Sequence, residues 1–265
     1  MYPFDYRRAT TVAEAVAQLR ADDSAKLLAG GQSLLAAMKQ RLAMHSALID
    51  IGRLPELKGI RREGDRLVVG AGEKHADVAA SALVAETIPA LATLAGLIGD
   101  PLVRHMGSLG GALANNDPSA DYPSATLALD AQIITSERSI TADDFFRGMF
   151  ETALGASEII TAVSFAIPQR AAYIKFPNPA SRYAMAGAFV ARHAGGVRVA
   201  ITGAGSCVFR ARDFEAALAR DFRPEAIAGI ALDDSHMIAD MHGSAAYRAH
   251  LAGVVARRAV AACMG

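Results

Sequence analysis

Cysteine is nearly absent from this chain of 265 residues: only Cys207 and Cys263 occur, far apart in sequence. Zinc and iron–sulfur ligation draw on closely spaced cysteines, so this polypeptide has no means of holding such a centre by itself. Two distant thiols fit a reduced compartment better than a disulfide framework. Net charge is missing too, since 27 Lys and Arg balance 27 Asp and Glu. No basic field is available for nucleic acid or an anionic membrane surface, and a phosphate-bearing ligand has to be held largely by backbone dipoles. Long apolar runs are lacking as well. Met1 to Arg8 carries no signal-like stretch, and the best membrane candidate, Ile88 to Gly99, is bounded by Pro89 and Asp100-Pro101. It falls short of the ~20 residues that a bilayer requires. A soluble, cytoplasmic protein is expected.

What the chain does have is a 52% hydrophobic composition, enough for a substantial core, and two glycine doublets. The first lies in Leu28-Ala29-Gly30-Gly31-Gln32-Ser33-Leu34 and the second in Gly107-Ser108-Leu109-Gly110-Gly111-Ala112. Adjacent residues without Cβ let the backbone turn through positive φ and lie close against a ligand. Amides in such turns converge into an anion-binding concavity, to which a following helix adds its positive end. Two such loops suggest a dinucleotide gripped from both sides. Neither doublet is followed by the lysine of a P-loop, which argues against nucleoside-triphosphate hydrolysis. Gly203-Ala204-Gly205 follows a strand, but Val208 stands where a third glycine would complete a dinucleotide fingerprint. That segment reads as a strand-end turn. The histidines His75, His105, His236 and His242 show no metal-ligand spacing.

Along the chain, Thr11-x-x-Glu14 has the form of a capping box ahead of a helix bearing Val12, Ala15, Val16 and Leu19. Lys26 to Ala29 reads as a short strand, Ser33 as the cap of a helix carrying Leu34, Leu35, Met38 and Leu42, and Leu48 to Ile51 as a second strand. Arg66 to Gly70 opens another α/β region. Helical patterns follow at His75 to Ala80 and Pro89 to Leu97, a break at Asp100-Pro101, and a polar loop from Ala112 to Pro123. Gln132 to Thr135 and Ile159 to Val163 read as strands. Pro168 to Ala171 is the clearest linker. Beyond it Tyr173 to Phe176, Ala186 to His193 and Val197 to Thr202 alternate like hairpin strands, and Ala211 to Leu218 and Ser244 to Cys263 are helical.

These segments resemble a known family. Ala29-Gly30-Gly31-Gln32-Ser33-Leu34-Leu35, Gly99-Asp100-Pro101-Leu102-Val103-Arg104, Gly107-Ser108-Leu109-Gly110-Gly111 and Asp117-Pro118-Ser119-Ala120-Asp121-Tyr122-Pro123 are similar to the FAD-binding medium subunit of molybdenum hydroxylases. These are relatives of aerobic carbon monoxide dehydrogenase and xanthine dehydrogenase, and the resemblance runs from Phe4-Asp5-Tyr6 to Leu251. It implies an α/β (α+β) architecture. Residues 1–168 would form a two-subdomain FAD-binding fold of the vanillyl-alcohol-oxidase/PCMH type, with subdomains of about 1–53 and 54–168. Residues 169–265 would form a C-terminal domain of a small antiparallel sheet with helices.

The resemblance also implies an oxidoreductase subunit that relays electrons. A small subunit with two [2Fe–2S] clusters would supply them, a large molybdopterin subunit would oxidise the substrate, and an external acceptor would receive them, in a dimer of heterotrimers. Carried over by position, Ala29, Gly30, Gly31, Gln32, Ser33 and Leu34 would embrace the FAD pyrophosphate. Ser108, Leu109, Gly110, Gly111 and Ala112 would complete the clamp. Asn115 and Asp121 would hydrogen-bond the cofactor, Ile98 and Gly99 would line its apolar edge, and Ile160 or Thr161 would support the ring. Lys175 would contact the flavin, and Tyr183 would lie over the isoalloxazine. Ala112 stands where many relatives have Asn, and Arg182 replaces an acidic residue. No catalytic acid–base pair or metal ligand is expected in this chain. Two other readings stay open: a stand-alone FAD-dependent oxidase or reductase, and a non-catalytic nucleotide-binding assembly module.

Overall fold

The computed structural model describes residues Met1–Gly265. The chain opens with β1 (Asp5–Arg8), α1 (Val12–Ala21), β2 (Lys26–Leu28), α2 (Leu34–Lys39) and β3 (Ala47–Asp50), and β3 lies between β1 and β2 in a parallel three-stranded sheet. Val12, Ala15 and Val16 bury one face of α1 in a core shared with Ile49 and Leu54. Thr11 caps the helix, its hydroxyl accepting from the Glu14 N–H at 3.1 Å, a contact worth about 1 kcal/mol. The expected capping box is only half formed. The Glu14 carboxylate turns to the N–H and hydroxyl of Thr10, at 2.7 and 2.6 Å, rather than to the Thr11 amide.

A second sheet follows. Its strands are β4 (Ile60–Glu63), β5 (Arg66–Gly70), β6 (Gln132–Thr135), β7 (Ser139–Thr141) and, after the small hairpin β8 (Phe146–Gly148) and β9 (Glu151–Thr152), β10 (Ile160–Ala166). They pair antiparallel in the order β4-β5-β10-β6-β7. Between β5 and β6 the chain runs through α3 (His75–Ala80), α4 (Ala82–Thr87), α5 (Pro89–Gly96), α6 (Pro101–Met106), α7 (Leu109–Asn115) and α8 (Tyr122–Ala128), with α9 (Ala142–Phe145) after β7. Leu91, Leu94, Leu109, Leu113, Tyr122 and Phe165 share the core between these helices and the sheet. Asp100-Pro101, expected to end helical structure, starts α6 instead. The Asp100 carboxylate accepts from the Val103 N–H at 2.9 Å, and Pro101 occupies the first turn, where its missing N–H costs nothing.

The C-terminal sheet orders β11 (Arg170–Pro177), β12 (Ala184–His193), β13 (Gly196–Thr202) and β14 (Phe209–Arg210) antiparallel, flanked by α10 (Arg212–Arg220) and α11 (Ala245–Met264). The expected linker at Pro168 to Ala171 shrinks almost to Pro168. Arg170 is already in register with Arg192, while the amides of Ile167 and Gln169 donate to Asp65 and Arg192 carbonyls. The apolar run of β12 is buried on both faces. Ala186, Ala188 and Val190 pack with Phe214 and Val255, whereas Phe189 and Ala191 belong to the core of the second sheet and its helices. Period-two alternation makes this strand the middle layer, with no solvent face.

Candidate functional site

β2 delivers the chain to Ala29, and Gly31 turns it at φ +71°, a conformation L side chains rarely adopt. From Ala29 through Leu34 no backbone N–H donates to a protein acceptor. Such a run of free donors, leading into the first turn of α2, is built for an anion. Ser33 stands at the cap position, yet its hydroxyl makes no capping bond and is free as well. A Cβ on Gly30 would run into the Met106 carbonyl oxygen and lie 2.7 Å from the Gly107 Cα. The first glycine segment therefore packs directly against the residues that lead into the second, across 76 positions of sequence from Gly30 to Met106.

The second segment differs from expectation. Gly110 and Gly111 are not a positive-φ turn but the first turn of α7, capped by Ser108, whose hydroxyl accepts from the Gly111 N–H at 3.3 Å. The two glycines serve separate purposes. A Cβ on Gly110 would lie 2.6 Å from the Ala71 Cβ, so it permits α7 to lie on the chain leaving β5; one on Gly111 would come within 4.0 Å of the Ala29 Cβ, across from the first segment. The amides of Leu109, Gly110 and Ala112 already donate to Glu73, Ala71 and Ser108. Only the Ser108 N–H remains free. The cradle is thus asymmetric: one side supplies donors and the other supplies shape.

Asp121 and Lys175, both expected at the cofactor, are joined to each other. Lys175 Nζ lies 3.0 and 3.3 Å from the two Asp121 oxygens and donates to the Leu97 carbonyl at 2.8 Å, so all three of its protons have protein acceptors. Both side chains are 4% exposed. The Tyr173 hydroxyl also donates to Asp121. Burial pushes the Asp121 carboxyl up, against the opposing pull of Lys175 and Tyr173. This pair ties β11 to the loop before α8 and to the strip Leu97–Gly99. There Gly99 turns at φ +49° and Arg104 holds the carbonyls of Ile98 and Gly99 at 3.0 and 3.3 Å.

Tyr183 is half exposed at the end of the loop between β11 and β12, preceded by Arg182 at φ +63°. Burial raises its phenol, with Asp117 and then Asp121 adding to the shift. Ile160 is buried in β10, in the same core cluster as Leu109 of the second glycine segment. Asn115 ends α7 without a side-chain hydrogen bond, while the next residue, Asn116, is buried at φ +43° and donates to the carbonyls of Gly148 and Glu151, both at 2.8 Å.

Sequence reasoning missed Lys74, Tyr173 and Asn116. Lys74 Nζ donates at 2.8 Å to the Met106 carbonyl on which Gly30 packs, bringing a cation beside the free amides. No motif marks it; only the fold brings it there.

Beneath the second segment, His75 is buried, tilted against the Tyr122 ring at 5.3 Å, and within the space that a Gly107 Cβ would need. Burial, with repulsion from Lys74 and Arg104, lowers its imidazole to about 4. The unfolded chain therefore binds a proton that the folded chain refuses between pH 6.5 and about 4, and stability falls as pH falls through that window. The expected loss is about 2 kcal/mol between pH 7 and pH 5. Urea unfolding at the two pH values measures it, and His75→Phe should flatten the dependence by that amount.

The family model described as "FAD binding domain in molybdopterin dehydrogenase" matches residues 2–169. The carbon monoxide dehydrogenase medium chain of Hydrogenophaga pseudoflava is 36% identical over 97% of this chain and 96% of that protein. The nicotine 6-hydroxylase medium subunit of Paenarthrobacter nicotinovorans is 34% identical over 96% and 95%. The solved structure of reconstituted CO dehydrogenase from Oligotropha carboxidovorans matches with a TM-score of 0.92 at 32% identity, covering 99% of both chains. A row of unpaired amides beside a close glycine contact fits the diphosphate of FAD. The chain belongs to the FAD-binding medium subunits of the molybdenum hydroxylase family and is an oxidoreductase subunit.

Proposed function

We propose that this chain is the electron relay of its complex. It takes electrons from the [2Fe–2S] clusters of a small partner subunit, filled by substrate oxidation in a large molybdopterin subunit, and releases them to an external acceptor. The assembly is read as a dimer of heterotrimers in the cytoplasm; no helix is long and apolar enough to cross a membrane. Residues 1–168 carry the FAD-binding part and residues 169–265 the C-terminal part. The observation that carries this reading is the unpaired amide run from Ala29 to Leu34, set against Gly107 and Ser108.

FAD, when bound, supplies the redox chemistry by storing two electrons between donor and acceptor. The chain's residues supply place and field. The amides of Ala29, Gly30, Gly31, Gln32, Ser33 and Leu34 would donate to the diphosphate, joined by the Ser108 N–H, while Lys74 offsets its charge. Leu109, Gly110, Gly111 and Ala112 shape the opposite wall, with Asn115 at its far end. Ile98 and Gly99 line the apolar edge. Asp121 meets the cofactor as a carboxylate oriented by Lys175 and Tyr173, so Lys175 acts through Asp121. Ile160 supports the site from the core. Tyr183 covers the ring and excludes water.

Reducing the purified complex with its substrate should bleach the flavin band; a band that stays intact while substrate is oxidised overturns the relay. In Tyr183→Ala, FAD is expected to remain while the rate of flavin reoxidation changes severalfold. Stopped-flow absorbance reads both, and an unchanged rate removes Tyr183 from the ring.

A further inference from the structure

At the end of β3, beside the first glycine segment, stands the carboxylate of Asp50. β2 and β3 are parallel neighbours joined through α2, and Leu28 is in register with Asp50. Paired strands lie about 4.8 Å apart, so the chain leaves β2 for its open amides directly alongside Asp50. The Ile51 N–H closes the pairing, donating to the Leu28 carbonyl at 2.9 Å. A Cβ on Gly52 would lie 3.0 Å from the Ala29 carbonyl oxygen and 3.2 Å from Asp50 Oδ1. The carboxylate and the first residue of the amide run therefore flank the same glycine.

Asp50 is half-buried and held in one orientation. Its Oδ1 accepts from the Gly52 N–H at 2.8 Å and its Oδ2 from the Tyr6 hydroxyl at 2.6 Å. Both partners are neutral, and no cation pairs with the carboxylate. An ionised carboxylate offers two acceptor positions on each oxygen, so one on each stays open. A bare negative charge repels a diphosphate, whereas it suits neutral hydroxyl donors next to one. In dinucleotide-binding β–α–β units a glycine turn leaves the first strand and an acidic residue ends the second, about 20 residues on, where it accepts from the adenosine ribose. Gly30 and Asp50 stand in those places and at that spacing. FAD carries hydroxyls on both sides of its diphosphate, and the fold tells the two sides apart. Ile98, Gly99, Asp121 and Tyr183, read at the flavin end, come from the helices of the second sheet and from the C-terminal part, whereas Asp50 belongs to the first sheet.

We propose that Asp50 binds the adenosine ribose of FAD, its two oxygens accepting from the 2′- and 3′-hydroxyls, and that Tyr6 is the residue that positions it. The proposal rests on the reading above in which the open amides from Ala29 to Leu34 hold the diphosphate. The first sheet then contributes side-chain recognition of the nucleotide half, at a point where the neighbouring backbone recognises only charge.

ADP and 2′,3′-dideoxy-ADP, which lacks both hydroxyls, are the probes. In calorimetric titrations of the deflavinated complex, the wild type should bind ADP at least about tenfold more tightly than the dideoxy compound, as expected for hydrogen bonds to a charged group. In Asp50→Ala that preference should vanish, while the dideoxy compound binds no more weakly than to the wild type. General damage to the site would instead weaken both nucleotides together. A preference that persists in Asp50→Ala overturns the ribose assignment and leaves the FAD reading standing. So does a wild type that takes up FAD but binds the two nucleotides alike or not at all. Should Asp50→Ala fail to fold, Tyr6→Phe decides. It keeps the carboxylate but removes the hydroxyl that orients it, and should weaken ADP about threefold without changing the dideoxy compound. Equal ADP affinity in that variant overturns the assignment. A wild-type complex that takes up neither FAD nor ADP brings down both readings.

Discussion

Replacing Gly30 by alanine is expected to strip FAD from the purified protein. The added Cβ would meet backbone on the opposing segment, the Met106 carbonyl and the Gly107 Cα, and not the tip of a movable side chain. Relief requires the two segments to part, and that gap is the one the diphosphate is read to occupy. Overpacking against backbone costs about 1–3 kcal/mol or more, and 3 kcal/mol spent on the closed cradle is about a hundredfold in FAD affinity. The change in absorbance per protein after gel filtration reads this directly. A Gly30→Ala protein with full flavin content would show that the segments do not close on the cofactor. Gly111 is a gentler site for a small side chain, since its Cβ would meet only the Ser108 hydroxyl at 2.9 Å and Ala29 at 4.0 Å. A bulky Gly111→Trp would bridge to Ala29 and should also expel FAD.

Lys175→Met is expected to destabilise the fold by about 3–5 kcal/mol, because it leaves the Asp121 carboxylate buried without its cation. Asp121→Asn in the same chain should recover most of the loss, since an amide has no charge to strand and still accepts from Tyr173. Urea denaturation of the four proteins gives the coupling directly. The pH dependence has a definite sign. The Asp121 carboxyl is pushed up by burial, so a protonated Asp121 is favoured in the folded chain relative to the unfolded one. Stability from that protonation is full below the unfolded value and is lost as pH rises. The deficit of Lys175→Met relative to wild type should therefore shrink from pH 8 to pH 5. A deficit below 1 kcal/mol, insensitive to pH, would mean that the pair is not buried as described.

Much of the fold was legible locally. Amphipathic spacing gave α1 and α5, Ser244 marked the start of α11, and the apolar runs at Leu48 and Ile133 became strands, because period and capping are properties of neighbours in sequence. The reading of Gly203 to Gly205 as a strand-end turn agrees with Gly203 at φ +79°, its amide on the Pro118 carbonyl. Two readings misjudged context. Asp100-Pro101 reads locally as a break, although Asp before Pro is equally a helix start. Gly110-Gly111 looked like a turn, although the demand there is close packing on Ala71 within a helix. The β12 run reads as hairpin-like alternation, and the fold covers both its faces.

By itself the sequence pointed to the backbone as the means of holding an anion. With no net charge, no P-loop lysine and two glycine doublets, few other means were available. The same text determined that iron–sulfur ligation belongs elsewhere, since two scattered thiols cannot hold a cluster. Only the tertiary structure decided how the site is divided. It left the amides from Ala29 to Leu34 unpaired and consumed those of Leu109, Gly110 and Ala112 inside the protein. It brought Lys74 to the seam between the segments, and it bound Lys175 to Asp121. Whether a polar group is free for a ligand depends on which acceptors the folded chain brings within about 3 Å of it. Residues as distant as Leu97, Asp121 and Lys175 settle that question through space, and no local pattern encodes it.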